Sequence, residues 1–388
     1  MVRIVILGAG FGGVYAALRL QKGLRKGDSL VVVSIQKDFV FTPLLHEVSA
    51  GFLSASDVSI PLSSLLRKCQ LIQGDVKSID FNRQVVAAGS KKVPYDLLLI
   101  ALGAMPNKSV LSHINIKQRR KFLQLKTVHD AKALHKRLAD PHKQKSVLVI
   151  GAGATGIEAA AEAKEFFKEN GFNGAKVSIV QDLPDIFLDK PASFRNYIKK
   201  SLGRQNITIF YDALLASYAD DTAVIQTPEG KKKIEATVPL LAAGVIPVPV
   251  KTFPKITDEK GFFNVNQFLE VKGAKSVWAV GDISLYLNPV DKKPVPMLAQ
   301  AAKDEGIFAA GNIAAKLSGK PQKAYKFHSK GFLLSLGKFD GVGNAFGIPV
   351  KGFIAWWLKR TAYAMEAPGF SNKLRMFWRL SIASLFKR

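Results

Sequence analysis

Cysteine is almost absent from this 388-residue sequence, in which Cys69 stands alone. One thiol cannot build a disulfide scaffold, a four-cysteine zinc site or a CxxC redox dithiol, so the chemistry must come from other groups. Acidic residues are also scarce, 30 against 56 Lys and Arg, which leaves a net charge of +26. That excess asks for a negatively charged partner, whether nucleic acid, an anionic membrane face or a phosphorylated ligand, and does not choose among them. Long apolar runs are missing too: nowhere do about 18 successive residues stay free of charge and proline, which argues against a spanning helix. The apolar residues 2–7 run straight into glycines and read as a first strand, not a leader.

What is present is a 48% apolar fraction with 31 Gly and 18 Pro, which excludes a disordered, collagen-like or coiled-coil chain. The length allows two or three domains. One pattern occurs twice. Residues 3–7 form a β-branched run, Gly8-Ala9-Gly10-Phe11-Gly12-Gly13 turns the chain into an Ala- and Leu-rich helix through Leu20, and a second strand follows at 30–33. Far downstream, residues 146–150 lead into Gly151-Ala152-Gly153-Ala154-Thr155-Gly156, a helix through about Phe167 and a strand at 177–180. Each is the βαβ unit that seats a phosphate on a helix N-terminus. In each, the first glycine (Gly8, Gly151) permits the tight turn, the second (Gly10, Gly153) admits a pyrophosphate, and the third (Gly13, Gly156) lets helix and strand pack closely. Two copies in the same context are far more specific than one.

Such units usually place a carboxylate at the end of the second strand to hold a ribose hydroxyl. Here those positions hold Ser34 and Gln181. Neutral side chains can still bond a hydroxyl but do not repel a 2′-phosphate, so weak discrimination between NADH and NADPH is expected.

These residues carry a resemblance. The chain resembles the FAD-dependent pyridine nucleotide oxidoreductases with two dinucleotide-binding domains, and most of all type II NADH dehydrogenase, the single-subunit NADH:quinone oxidoreductase. Besides the glycine turns, the matching motifs are Phe41-Thr42-Pro43-Leu44-Leu45, Ala101-Leu102-Gly103-Ala104, Ala243-Gly244-Val245, Val280-Gly281-Asp282, Ala299-Gln300 and Leu336-Gly337-Lys338. The resemblance implies FAD on the first unit, held by Gly8, Gly10, Phe11, Gly12, Gly13, Ser34 and Lys37, with Val76 against the adenine, Gly103 nearby and Asp282 on the ribityl chain. Pro43, Ala299 and Gln300 would border the isoalloxazine. NADH, or NADPH, would sit on Gly151, Gly153, Gly156, Gln181 and Gly244. Glu158 matches the glutamate near nicotinamide and flavin, and Lys338 would lend charge near the flavin or quinone. Plainer readings stand beside these: a helix N-cap for Asp282, a first-turn acid for Glu158, a surface lysine for Lys338. Two departures are local. Asp304 replaces the last glutamine of the quinone-side AQxAxQ motif, and His46 stands where an aromatic residue is common, its plainer reading a surface loop histidine.

The expected fold class is α/β, two Rossmann-like dinucleotide-binding domains with one inserted in the other, plus a C-terminal amphipathic helical membrane-association region. The FAD domain would span residues 1–112 and 270–325, the nucleotide domain 113–269, and the tail 326–388. Residues 350–388 hold three of the four tryptophans and eight basic residues against Glu366 alone. Val350, Phe353, Ile354, Trp357, Leu358 and Thr361 make one apolar stripe; Phe370, Leu374, Phe377, Trp378, Ile382 and Leu385 make another, ringed by Lys373, Arg375, Arg379 and Lys387. Basic amphipathic helices of this kind lie on anionic bilayers, and docking onto the protein's own core is the other reading.

The expected activity is transfer of two electrons from NAD(P)H through flavin to a membrane quinone without proton pumping, by a peripheral enzyme on the cytoplasmic side of a cell inner membrane, with a homodimer left open. A soluble NAD(P)H-dependent flavin reductase is the first alternative; a nucleotide-sensing or nucleic-acid-binding protein without turnover is the second. Sulfide-oxidising relatives need paired cysteines, which Cys69 cannot supply. The basic runs at 117–121 and 231–233 read as solvated loops with no aromatic platform for nucleic acid, and none is expected to bind. The six histidines, His129, His135 and His142 among them, show no metal-ligand spacing and read as surface residues; no metal is expected.

Overall fold

The computed structural model describes residues 1–140 and 145–383, and side chains as far as 381. His142, Leu385, Lys387 and the side chain of Ile382 lie outside the described residues. The chain divides into two compact units, the first comprising Met1–Val40, Ser59–Met105 and Val245–Ser329, the second Phe41–Val58, Pro106–Gly244 and Lys330–Arg388.

In the first unit, five parallel strands run in the order Val277–Ala279, Leu97–Ile100, Arg3–Leu7, Ser29–Ser34, Gln70–Gln73. Their Val, Ile and Leu residues form nearly unbroken apolar runs, as strands covered on both faces require. The helix Phe11–Leu20 follows the first strand and packs on the helix Ala299–Leu317, where a Cβ on Gly306 would stand 2.2 Å from the carbonyl oxygen of Gly12. A smaller sheet pairs Lys251–Phe253 with Val76–Asp80, which continues antiparallel through Val85–Ala88 and Lys91–Pro94.

The second unit repeats the plan with four parallel strands, in the order Ile207–Phe210, Lys176–Val180, Ser146–Ile150, Val238–Leu241. The helix Ala154–Glu169 lies on this sheet and buries Ile157, Phe166 and Phe167, each contributing about 1.5–3 kcal/mol relative to exposure. Lys231 to Lys233, read as a loop, instead lie on the strand Gly230–Glu235 of a three-stranded antiparallel sheet, all three exposed.

The compact units divide the chain differently from the expected domains at residues 41–58, 106–112, 245–269 and from 326 onward. Residues 41–58 group with the second unit because their helix Leu45–Ser49 packs on the helices Val128–Ala139 and Ala154–Glu169. Residues 245–269 group with the first, since Lys251–Phe253 completes its smaller sheet. The tail is no separate piece: Leu334, Leu336 and Val342 enter the same core as Ile157 and Phe167.

The C-terminal helix Gly352–Met365 leaves part of its apolar stripe outside and buries two cations. Phe353 and Ile354 are 49% and 60% exposed, while Ala355, Trp356, Lys359, Arg360 and Ala364 are buried. Trp357, Leu358 and Thr361 of the expected stripe sit at the margin. Two cations inside and two large apolar residues outside is an arrangement that only buried acids can support.

Candidate functional site

The glycine turns test directly whether a dinucleotide fits. In the first unit Gly8 has φ +97°, and a Cβ there would stand 2.2 Å from the Ala101 oxygen; one on Gly13 would stand 1.9 Å from the Gly8 oxygen. In the second, Gly151 has φ +104° and would place a Cβ 2.6 Å from the Ala242 oxygen, while one on Gly156 would be 2.0 Å from the Gly151 oxygen. The protein's own backbone therefore demands these four glycines. Gly10 and Gly153 differ: a Cβ on either would meet no atom within 4 Å. Folding does not explain them, whereas a pyrophosphate approaching each helix N-terminus does.

Around the first turn, Phe11 and Gly12 are buried in the opening turn of the helix. Ser34 ends the second strand, its Oγ accepting from Gln36 N–H at 3.1 Å, and Lys37 is exposed just beyond. Val76 is buried, and Gly103 takes φ +70° with open space before it. Asp282 is half-buried within the 3₁₀ turn Gly281–Ile283 and is not a helix N-cap, a position that falls to Val280. Ala299 and Gln300 open their helix, and Gln300 Nε2 is buried with no acceptor in reach among the described residues, as suits a group awaiting a ligand.

Glu305, one turn further along, is buried and accepts a 2.6 Å hydrogen bond from Gly281 N–H. Burial, with Asp282 and Asp304 adding to it, pushes its carboxyl up to about 8. Because the folded value lies above the unfolded one, the folded state holds this proton more tightly, so Glu305 makes stability fall as pH rises from about 4.5 to about 8. Glu305→Gln keeps an oxygen for Gly281 and removes the titration. It should gain at least about 1 kcal/mol at pH above 8, read from urea unfolding against pH.

In the second unit, Pro43 lies in the 3₁₀ turn Thr42–Leu44. Gln181 is buried, and its Oε1 accepts from Ala152 N–H at 3.0 Å, which ties the side chain to the glycine turn and leaves its amide N–H groups to meet a ribose oxygen. Gly244 has φ +79° and open space before it. Lys338 Nζ donates to Glu169 Oε1 at 3.0 Å near the end of the helix, about 16 Å along the axis from Glu158, which agrees with its plainer reading as a surface lysine. A surface ion pair is its role in this structure.

Glu158 is at the centre of a buried ionic cluster. Its Oε1 accepts from Ser335 N–H at 3.1 Å and from Lys359 Nζ, and its Oε2 lies 3.7 Å from His46 Nδ1. Arg360 forks onto both Glu47 oxygens at 2.8 and 2.7 Å, donates to the Leu380 carbonyl at 2.9 Å and lies over Trp356. Glu162 lies one turn beyond Glu158, and ligating atoms of His46, Glu47 and Glu162 lie within 4.8 Å of one another. They could group about a cation, but Arg360 already occupies both oxygens of Glu47. His46, expected at the surface, is 4% exposed, and His135 is half-buried with Nδ1 3.1 Å from the Ser49 oxygen.

Burial raises Glu158, and Lys359 opposes it; burial would lower Lys359, but Glu158 holds it high. Burial and the two cations drive His46 well below its ordinary value, so its imidazole is neutral. Glu162 is pushed up to about 8 by burial and by Glu47. Glu158 bonds Lys359 and Glu47 bonds Arg360, while no lysine or arginine among the described residues forms an ion pair with Glu162. Lys359, Arg360, Glu47 and Glu162 were not foreseen from the sequence, although adjacent cations inside an aromatic helix were a signal that buried acids must answer them.

Two nucleotide cradles on parallel sheets, one of them adjoined by a buried ionic cluster, define a dinucleotide-dependent oxidoreductase. Residues 2–306 match the pyridine nucleotide-disulphide oxidoreductase family, and the chain belongs to it. It does not use the disulphide of that name: Cys69 is its one cysteine, and burial pushes the thiol up to about 11.

The chain is 25% identical over 380 residues to the type II NADH:quinone oxidoreductase of Staphylococcus aureus, covering 92% of this chain and 93% of that protein. It is 27% identical over 391 residues to demethylphylloquinone reductase NdbB of Synechocystis, with 96% and 94% covered. Its fold matches NDH2 from Plasmodium falciparum in complex with NADH at a TM-score of 0.85 and 18% identity, over 98% of this chain and 97% of that one. The resemblance to type II NADH dehydrogenase drawn from the motifs is borne out by these relatives.

Proposed function

We propose that this protein transfers two electrons from NADH, or NADPH, through FAD to a membrane quinone, as a peripheral enzyme on the cytoplasmic side of a cell inner membrane and without proton pumping. The observation that carries the reading is the pair of cradles whose middle glycines the fold leaves open. Quinone as acceptor rests on the relatives, two of which are named for quinone reduction. FAD held on the first cradle would supply the hydride acceptance from nicotinamide and the two-electron transfer to quinone.

The protein's part is to hold and shield. The amides at the start of Phe11–Leu20 would receive the FAD pyrophosphate, Asp282 the ribityl hydroxyls and Gln300 Nε2 an acceptor on the ring. The amides at the start of Ala154–Glu169 would receive the pyrophosphate of NADH. With Gln181 in the usual place of the acid after Lys176–Val180, and Asp182 one residue out of register, a 2′-phosphate would be repelled less than by a carboxylate in that place. Glu158, held by Ser335 and Lys359, would be the group that holds a proton near the nicotinamide. Consumption of NADH with a short-chain quinone should follow one quinone per NADH. Reduction of a soluble dye with none of quinone would favour a soluble flavin reductase instead.

Membrane contact would fall on the helix Phe370–Phe377 and the turn after it. Phe370, Leu374 and Trp378, at i, i+4 and i+8, are 77%, 56% and 62% exposed. Lys373 and Arg375 flank them, each such cation contributing about 1 kcal/mol beside anionic lipid, while Arg379 pairs with Asp57 at 3.5 Å. No helix among the described residues is long and apolar enough to cross a membrane. Changing Phe370, Leu374 and Trp378 together to Ser should weaken sedimentation with anionic vesicles at least about tenfold while dye reduction survives. Removing the tail would be a poor test, because it would also remove buried Lys359 and Arg360.

A further inference from the structure

Asparagine precedes glycine twice in the chain, at Asn170-Gly171 and Asn173-Gly174, both between the helix Ala154–Glu169 and the strand Lys176–Val180. Aspartate precedes glycine once, at Asp340-Gly341. All three pairs are open to one reaction. With no side chain to hinder it, the glycine nitrogen can close a five-membered ring on the carbonyl carbon of the preceding side chain. The fold holds the three pairs differently.

Asn170 is locked, its Nδ2 donating to the Phe166 oxygen at 2.8 Å. Gly171 takes φ +75° just past the helix, and Phe172 N–H reaches back to the Phe167 oxygen at 2.8 Å, a left-handed cap that fixes the backbone there. Asp340 is locked as well: Oδ1 accepts from the Tyr197 hydroxyl at 2.7 Å and Oδ2 from the Ser201 hydroxyl at 2.5 Å. Asn173 and Gly174 are both exposed, the two central residues of a turn closed by Ala175 N–H on the Phe172 oxygen at 3.0 Å. That bond leaves the Gly174 N–H without an acceptor among the described residues, and the Asn173 side chain has no partner there either. A Cβ on Gly174 would meet nothing within 4 Å, so the ring has room to close.

We infer that Asn173 is a site of spontaneous deamidation in the folded protein, and that Asn170 and Asp340 are protected from the same chemistry. The Gly174 nitrogen gives its proton to solvent and bonds to Asn173 Cγ, the Cγ–Nδ2 bond breaks, and ammonia leaves. Water then opens the succinimide at either carbonyl, giving aspartate or isoaspartate, with no electron moved. A neutral amide becomes a carboxylate, so the net charge of +26 falls by one. The new charge appears just beyond the C-terminal end of Ala154–Glu169, where the helix dipole disfavours an anion. Isoaspartate also lengthens the backbone of the turn by one carbon. None of these residues belongs to either cradle, so the inference stands apart from the electron-transfer reading.

Incubation of the folded full-length protein in mildly alkaline buffer, followed by tryptic peptide mapping, tests this. Cleavage after Lys168 and Lys176 releases both asparagines in one peptide, and fragment masses locate the modified residue. Deamidation should accumulate at Asn173, with isoaspartate among the products. At Asn170 it should be at least about tenfold slower, the factor expected where a hydrogen bond must open first. In urea the protection is gone, so Asn170 and Asn173 should react at similar rates and Asp340 should isomerise. Asn173→Gln, whose longer side chain does not form the five-membered ring, should remain a single species on ion exchange where the parent splits into two. Equal rates at the two asparagines of the folded protein, faster reaction at Asn170, or an Asn173 that stays intact while the chain in urea reacts would overturn the inference. An acidic species that persists in Asn173→Gln would do the same.

Discussion

Arg360→Met should cost about 3–5 kcal/mol of stability, the loss expected when one partner of a buried ion pair is removed. The guanidinium makes both hydrogen bonds to Glu47, which is 1% exposed, and a third to the Leu380 carbonyl. Methionine fills similar space but leaves a carboxylate with no partner charge on its oxygens. Glu47 must then take up a proton or admit water, and either is costly in a dry site. Adding Glu47→Gln should recover at least half the loss, because the stranded charge accounts for more of it than the lost attraction. Urea unfolding of parent, single and double variants measures this. A single-variant loss under about 1 kcal/mol would mean that the pair is open to water.

Gly153→Val should weaken NADH binding roughly a hundredfold, the loss of one or two charge-assisted hydrogen bonds to phosphate, and leave folding and flavin content intact. The reason is the open space before Gly153, where a side chain clashes with nothing in the protein. Gly156→Val makes the contrast: its Cβ would stand 2.0 Å from the Gly151 oxygen, so the helix must shift and stability falls. In the first unit Gly10→Val should give a folded protein that no longer retains flavin. Titration with NADH, with thermal unfolding as the control, separates the cases. Equal loss of stability at Gly153 and Gly156 would show that both serve packing alone.

Both nucleotide units were legible in the sequence because their determinants are local. Glycines at fixed spacing between a β-branched run and an Ala-rich helix leave the backbone few alternatives, and the strands Arg3–Leu7 and Ser146–Ile150 begin and end where that pattern puts them. The ionic cluster was not legible, since it joins three distant stretches: His46 and Glu47, Glu158 and Glu162, Lys359 and Arg360. Spacing along the chain says nothing of such a meeting. The periodicity of the helix Gly352–Met365 marked Phe353 and Ile354 as a face apart, but it did not show that two adjacent cations, once paired with acids, can be buried on the other side. Motif order suggested charge near the flavin for Lys338 and could not reveal its pairing with Glu169. Gln181 occupied its expected position and found a partner in the glycine turn, a use no spacing rule reveals.

The most direct test is an anaerobic absorption spectrum of the purified full-length protein, taken alone, after NADH and after a short-chain quinone. A yellow protein that NADH bleaches and quinone restores is the predicted result, since it requires both cradles to be filled and to exchange electrons. A protein that stays colourless after incubation with excess FAD, or one whose colour NADH does not change, would contradict the account.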